Sequence, residues 1–136
     1  MFFFVLFGVL GITAEVFVNS IQNFVRTRNK KLLGDSSIWM FFIYGSTYFI
    51  ILFGTTYLMN LSIFIRGFIY MIMFYFLEFG TGFILKKFKA IPWDYSKNMK
   101  FNLKGIICLE FAIPWYLGGI ILEFIYIYLK SQIIFL

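Results

Sequence analysis

The chain has no histidine, one cysteine and two prolines among its 136 residues, and six acidic side chains against twelve basic ones. A lone Cys108 cannot close a disulfide within the chain. Without histidine, His/Cys zinc sites, haem ligation by histidine and Ser-His-Asp triads are excluded by inventory. Charged residues make up 13% of the chain, well under the one-quarter or so usual in soluble domains. There is no G-x-x-x-x-G-K-[ST] loop to cradle the phosphates of ATP. On this inventory neither a metal nor a cofactor is expected.

What remains is apolar, with 62% hydrophobic and 24% aromatic side chains. A bilayer-spanning helix needs about 20 mostly apolar residues. Four segments meet that length, from about Phe2 to Val25, Ile38 to Met59, Ile63 to Leu85 and Gly105 to Leu129. The expected fold is all-α, a polytopic membrane protein in which residues 1–136 form a single domain of four transmembrane helices. The first segment lacks a basic leading region and a small-x-small cleavage site and is interrupted by Glu15, so it reads as a retained helix and not as a signal peptide.

Basic residues set the orientation. The segment 26–37 carries Arg26, Arg28, Lys30 and Lys31, and the segment 86–104 carries Lys86, Lys87, Lys89, Lys97, Lys100 and Lys104, together ten of the twelve basic side chains. The positive-inside rule places both segments in the cytoplasm and both termini outside, in the cell membrane if the source is bacterial. "KKFKAIPWDYSKNMKFNLK" interleaves its lysines with Phe88, Trp93, Tyr95 and Phe101. A pattern of this kind can bind single-stranded nucleic acid. Beside two membrane helices it reads instead as a headgroup-level segment, its aromatics in the interface and its lysines facing anionic lipid.

Four of the six acidic residues, Glu15, Glu78, Glu110 and Glu123, fall inside the expected spans. An ionisable group there costs about 2.5–3.5 kcal/mol on insertion scales, so each calls for a partner or a task. At 1.5 Å rise per residue, Glu15 lies about 16 Å from Arg26, Glu78 about 12 Å from Lys86 and Glu110 about 9 Å from Lys104. Three carboxylates thus share the cytoplasmic half, and Glu123 lies deeper, with Arg66 as its structural partner. In the first helix Gly8, Gly11, Glu15, Asn19, Gln22 and Arg26 follow helical spacing along one face. The glycines suit close helix approach, and the polar run suits a wet or ligand-bearing cleft. In the third helix Gly67, Met71, Phe74, Glu78, Gly82 and Leu85 share a face, and Ser37, Tyr44, Tyr48 and Thr55 of the second offer hydroxyls.

"GIICLEFAIPW" (105–115) places a proline four residues after Glu110. Within a helix Pro114 would leave the Glu110 carbonyl without its N–H partner, so carboxylate and backbone oxygen would stand at one depth. Such breaks line cavities in transporters. The alternative is a kink that only shapes packing.

"SSIWMFFIYG" (36–45), "RGFIY" (66–70), "EFGTGFIL" (78–85), "PWDYS" (92–96) and "GIICLEFAIPW" (105–115) stand in an order and spacing that resemble the transmembrane protein 229 family, whose bacterial relatives are labelled ABC-transporter type IV, or CmpB-like, permeases. The likeness covers about Gly8 to Glu123. It implies a four-helix membrane protein with a transport role, and any ATPase as a separate subunit. It adds Trp39 and Asp94 to the candidate binding residues and marks Pro92 and Trp93 as structural. Ile91 stands where the family often has cysteine, and Phe42 where many bacterial members have proline.

Three functions follow. The first is a permease-like transport component with an intramembrane carboxylate cleft for a small solute, ion or lipid headgroup, built from Glu78, Glu110, Glu15, Asn19, Tyr44, Trp39 and Asp94. Pro114, Pro92, Trp93, Arg66 and Glu123 would shape it, and a homo-oligomer or a larger membrane complex would complete the path. The second is a non-catalytic accessory or scaffold subunit. The third is an intramembrane lipid-modifying enzyme, ranked last because no nucleophile–base pair is visible.

Overall fold

The computed structural model describes residues 1–97 and 99–134. Helix α1 spans Phe2–Thr27, α2 Ile38–Tyr57, α3 Ile63–Lys87 and α4 Ala112–Ile134. Between α3 and α4 lie a 3-10 turn at Tyr95–Lys97, an antiparallel pair of strands, β1 (Asn102–Leu103) and β2 (Ile107–Cys108), and a second 3-10 turn at Leu109–Phe111. Among the described residues four helices are long and apolar enough to cross a membrane. The fold is all-α in its spans and polytopic. Phe64, Phe76 and Ile113 are each more than 70% exposed, as side chains facing lipid tails would be.

The chain divides into two compact units, Met1–Tyr48 and Phe49–Leu136. In the first, α1 meets the first half of α2 through glycines. A Cβ at Gly8 would strike Phe41, one at Gly11 would strike Tyr44, and one at Gly45 would strike Phe4. Small residues at such crossings let backbones approach, which is how helices associate where lipid is as apolar as they are. Phe7 is buried in this contact, edge-on to Tyr48, and Phe3 stacks on the same ring at 5.8 Å.

The end of α1 is closed by Arg28 in the left-handed conformation, its N–H donating to Phe24 O at 2.7 Å. From there the chain turns back along α1. Asn23 Nδ2 donates to Leu33 O at 3.0 Å and Asn19 Nδ2 to Asp35 O at 2.8 Å, while Ser20 Oγ donates to Leu32 O. Gly34 lies so close to Val16 O and Ser20 N that any side chain would collide with backbone. Ser37 caps α2, its Oγ accepting from Trp39 N at 3.3 Å.

In the second unit α3 buries Arg66, Gly67, Tyr70, Phe74, Glu78, Gly82 and Leu85, one stripe at helical spacing. Tyr70, fully buried, sits between glycines, since a Cβ at Gly54 or at Gly119 would strike it. Near the N-terminal end of α3, Arg66 and Glu123 form a buried ion pair with bonds of 2.6 and 2.9 Å, and Tyr70 Oη donates to the same carboxylate.

Helix α4 begins seven residues later than its hydropathy suggests. Lys104 and Gly105 both take positive φ, 55° and 70°, which turns the chain between β1 and β2 and excludes a helix there. Pro114 therefore falls in the first turn of α4, where backbone N–H groups have no intrahelical acceptor for a proline to remove. The Glu110 carbonyl lies ahead of the helix, in the 3-10 turn.

Candidate functional site

Glu78 is the centre of the second unit's polar interior. On the buried face of α3, two turns before the helix ends at Lys87, it is 4% exposed. Two donors arrive from different elements. Tyr95 Oη, from the 3-10 turn after α3, reaches Oε1 at 2.9 Å, and Trp115 Nε1, from the first turn of α4, reaches Oε2 at 3.2 Å. Phe74, one turn from Glu78, packs edge-on against Trp115 at 5.5 Å.

Tyr95 can reach so far because residues 91–97 and 99–111 form a compact cap on α3. Gly82 leaves room for Ile106, Trp93 and Ile91, and Ile106 is fully buried. Trp93 Nε1 donates to Ile106 O at 2.8 Å, and Tyr95 N to Gly105 O at 2.9 Å. Asp94 Oδ1 accepts from Ser96 N at 2.9 Å, an Asx turn that starts the 3-10 segment. Hydrogen bonds from Ser96 hold the Asp94 carboxyl below the usual range, and Lys97 and Lys86 add to this. Tyr75 Oη of α3 donates to Cys108 O at 2.8 Å. Burial pushes the Cys108 thiol up to about 11, which keeps it protonated and unreactive near neutral pH.

Glu110 stands elsewhere. It is exposed, and its Oε1 accepts from the backbone N–H groups of Lys100 and Phe101 at 3.1 and 3.3 Å. It clasps the cap to the start of α4, while Tyr95 and Trp115 hold Glu78.

In the first unit Glu15 Oε2 accepts from Ser36 Oγ at 2.9 Å, and Tyr44 is a second hydrogen-bond partner. Glu15, Asn19 and Tyr44 thus come together, with Asn19 gripping the returning loop at Asp35. Gln22, Arg26 and Trp39 lie exposed, as does Pro92 in the second unit. Sequence reasoning passed over Ser36 as a ligand of Glu15, and Tyr95 and Trp115 as ligands of Glu78. The resemblance motifs held the signal, since "EFGTGFIL", "PWDYS" and "LEFAIPW" each supply one member of the Glu78 cluster.

Residues 2–136 match the family described as "Putative ABC-transporter type IV" (CmpB). The chain belongs to that family. No solved structure matches it. Membership and the four apolar helices together make it a multi-pass integral membrane protein of a transport-related family. The match carries the CmpB-like part of the sequence resemblance and not the transmembrane protein 229 part.

Proposed function

We propose that this CmpB-family protein is a permease-like component of a membrane transport system and that Glu78 is its working carboxylate, contacting a small solute, an ion or a lipid headgroup. The observation that carries this reading is the pair of neutral donors on Glu78. Glu123 faces a guanidinium, which fixes it as an anion. A tyrosine hydroxyl both donates and accepts, whereas an indole N–H only donates. Glu78 can therefore take up a proton on Oε1 and donate it to Tyr95, while Trp115 still serves Oε2. A group that keeps its contacts in both charge states suits binding and release of a cation or proton.

On this reading Glu15 with Asn19 and Tyr44 is a second polar point, and Glu110 and Asp94 hold the cap in place. The basic segments 26–37 and 86–104 face the cytoplasm and its anionic lipids, and both termini lie outside. Any ATPase is a separate chain. Kinship with transmembrane protein 229 rests on the five motifs alone. The test is Glu78→Gln in a strain lacking the chromosomal copy, with membrane insertion and helicity checked. Loss of complementation with normal insertion is expected; full complementation refutes the proposal.

A second reading, an accessory subunit with purely structural carboxylates, has its own support: among the described residues no buried side-chain nitrogen or oxygen lacks a partner. Purification from native membranes in mild detergent separates the two. A stoichiometric larger partner, together with a functional Glu78→Gln variant, would favour the subunit.

A further inference from the structure

Where the cap meets the end of α3 lies an open cleft of about 340 Å3 lined by Lys86, Ile91, Pro92, Trp93, Asp94 and Gly105. It sits where α3 ends, just past the apolar span, at the level where lipid headgroups meet a membrane helix. We infer that this cleft is a binding site for a zwitterionic phospholipid headgroup of the phosphoethanolamine type, its phosphate on Lys86 and its primary ammonium on Asp94.

The cleft carries one charge of each sign. Lys86 Nζ donates one N–H to Lys104 O at 2.6 Å, which fixes the direction of the side chain, and an ammonium has further donors for a phosphate oxygen. Asp94 is exposed, and one of its oxygens is committed to Ser96. Its ionised state is favoured by that bond and by the nearby lysines. Gly105 lies against the Oδ1 that Ser96 N–H already holds, since a Cβ there would be 2.5 Å from it, which leaves Oδ2 as the oxygen for an ammonium. Apolar side chains that an acyl chain could meet, Phe83, Ile84 and Phe88, are exposed near the end of α3.

This arrangement ranks headgroups by chemistry. A phosphoglycerol headgroup offers Asp94 only neutral hydroxyls, so it lacks the charge-assisted bond and leaves its phosphate charge uncompensated beside the carboxylate. A choline headgroup has a cation without N–H donors, so it forfeits the charge-assisted bond to Asp94. A primary ammonium beside a phosphate satisfies both groups.

Native mass spectrometry of the protein, released from nanodiscs holding equal parts phosphatidylethanolamine, phosphatidylcholine and phosphatidylglycerol, tests the inference. Retention of phosphatidylethanolamine over either competitor by on the order of tenfold is expected, the effect of one charge-assisted hydrogen bond. Asp94→Asn keeps an acceptor for Ser96 N–H, so the turn survives, and it should erase the preference over phosphatidylcholine. Lys86→Gln should reduce retention of all three lipids. Lys100→Gln, a lysine of the same segment outside the cleft, should leave the preference for phosphatidylethanolamine over phosphatidylcholine unchanged. Preferential retention of phosphatidylglycerol, an unchanged preference in Asp94→Asn, or a loss of that preference in Lys100→Gln would each overturn the assignment. The outcome is independent of Glu78→Gln, which leaves the cleft intact.

Discussion

Removing the Glu123 carboxylate while leaving Arg66 in place should be among the most damaging single changes in this chain. Arg66 is 8% exposed and Glu123 1%, and the pair is joined by two short bonds with Tyr70 Oη as a third donor. In Glu123→Leu the guanidinium stays buried without a counter-charge. Breaking a buried pair this way costs about 3–5 kcal/mol, much of it the desolvation of the orphaned ion. Tyr70 also loses its acceptor in a fully buried place, a further 1–3 kcal/mol or so. The triple variant Arg66→Met, Tyr70→Phe, Glu123→Leu removes both charges and the hydroxyl together, and only Leu61 O loses a donor, the Arg66 Nη1–H. It should recover to within about 1–2 kcal/mol of the parent, because a buried ion pair is often no better than a well-packed apolar replacement. Reversible unfolding in mixed detergent micelles, followed by far-ultraviolet circular dichroism, gives both numbers. If the triple variant is as unstable as Glu123→Leu, the account of desolvation is wrong. If Glu123→Leu costs under about 1 kcal/mol, the pair is not buried in the membrane-embedded protein.

Glycine substitutions should divide sharply. Gly54→Ala and Gly119→Ala push a methyl into Tyr70 and should destabilise by about 1–3 kcal/mol, whereas Gly80→Ala and Gly118→Ala meet open space and should be neutral or slightly stabilising in the same unfolding assay. Glu110→Ala should speed hydrogen exchange at the amides of Lys100 and Phe101 and leave the Tyr70 region unchanged. Asp94 has a folded pKa below its unfolded value of about 3.9, so its contribution to the cap is present above that pH and is lost as pH falls through the lower folded value. Protection of the Ser96 amide should therefore fall on acidification below about pH 4, and in Asp94→Asn that pH dependence should vanish.

The helices were legible because membrane spans announce themselves by length and hydropathy. The α3 face containing Gly67, Phe74, Glu78, Gly82 and Leu85 was legible because its 3–4 residue spacing survives an apolar background. The place of Arg66 near the outer end of the third helix pointed Glu123 towards it. The cap was not legible. Ile106, Ile107 and Cys108 are as apolar as a membrane helix, and a hydropathy window merges them with α4. Local signals were present in "NLKG", where Asn102 Oδ1 accepts from Gly105 N at 3.0 Å, and in a proline suited to the first turn of a helix. Both were overridden by the continuous apolar run. The partners of Glu15 and Glu78 were hidden for another reason. They come from loops folded back along the helices, and periodicity says nothing about where a loop returns.

That return has the same form twice. After α1 the chain folds back to place Ser36 Oγ on Glu15, and after α3 it folds back to place Tyr95 Oη on Glu78. In each case a helix carries one carboxylate several turns from its basic end, and the following segment closes on it with a hydroxyl before the next helix begins. A hydroxyl is the economical choice for a closure that has to open. It can serve a carboxylate or a carboxylic acid, and as a neutral group it parts from either without separating an ion pair. Glu123, held by an arginine, has neither property. The contrast between a carboxylate locked by a cation and two closed by hydroxyls argues that the first belongs to the scaffold, and it is the physical reason for seeking function at Glu78 and Glu15 before Glu123.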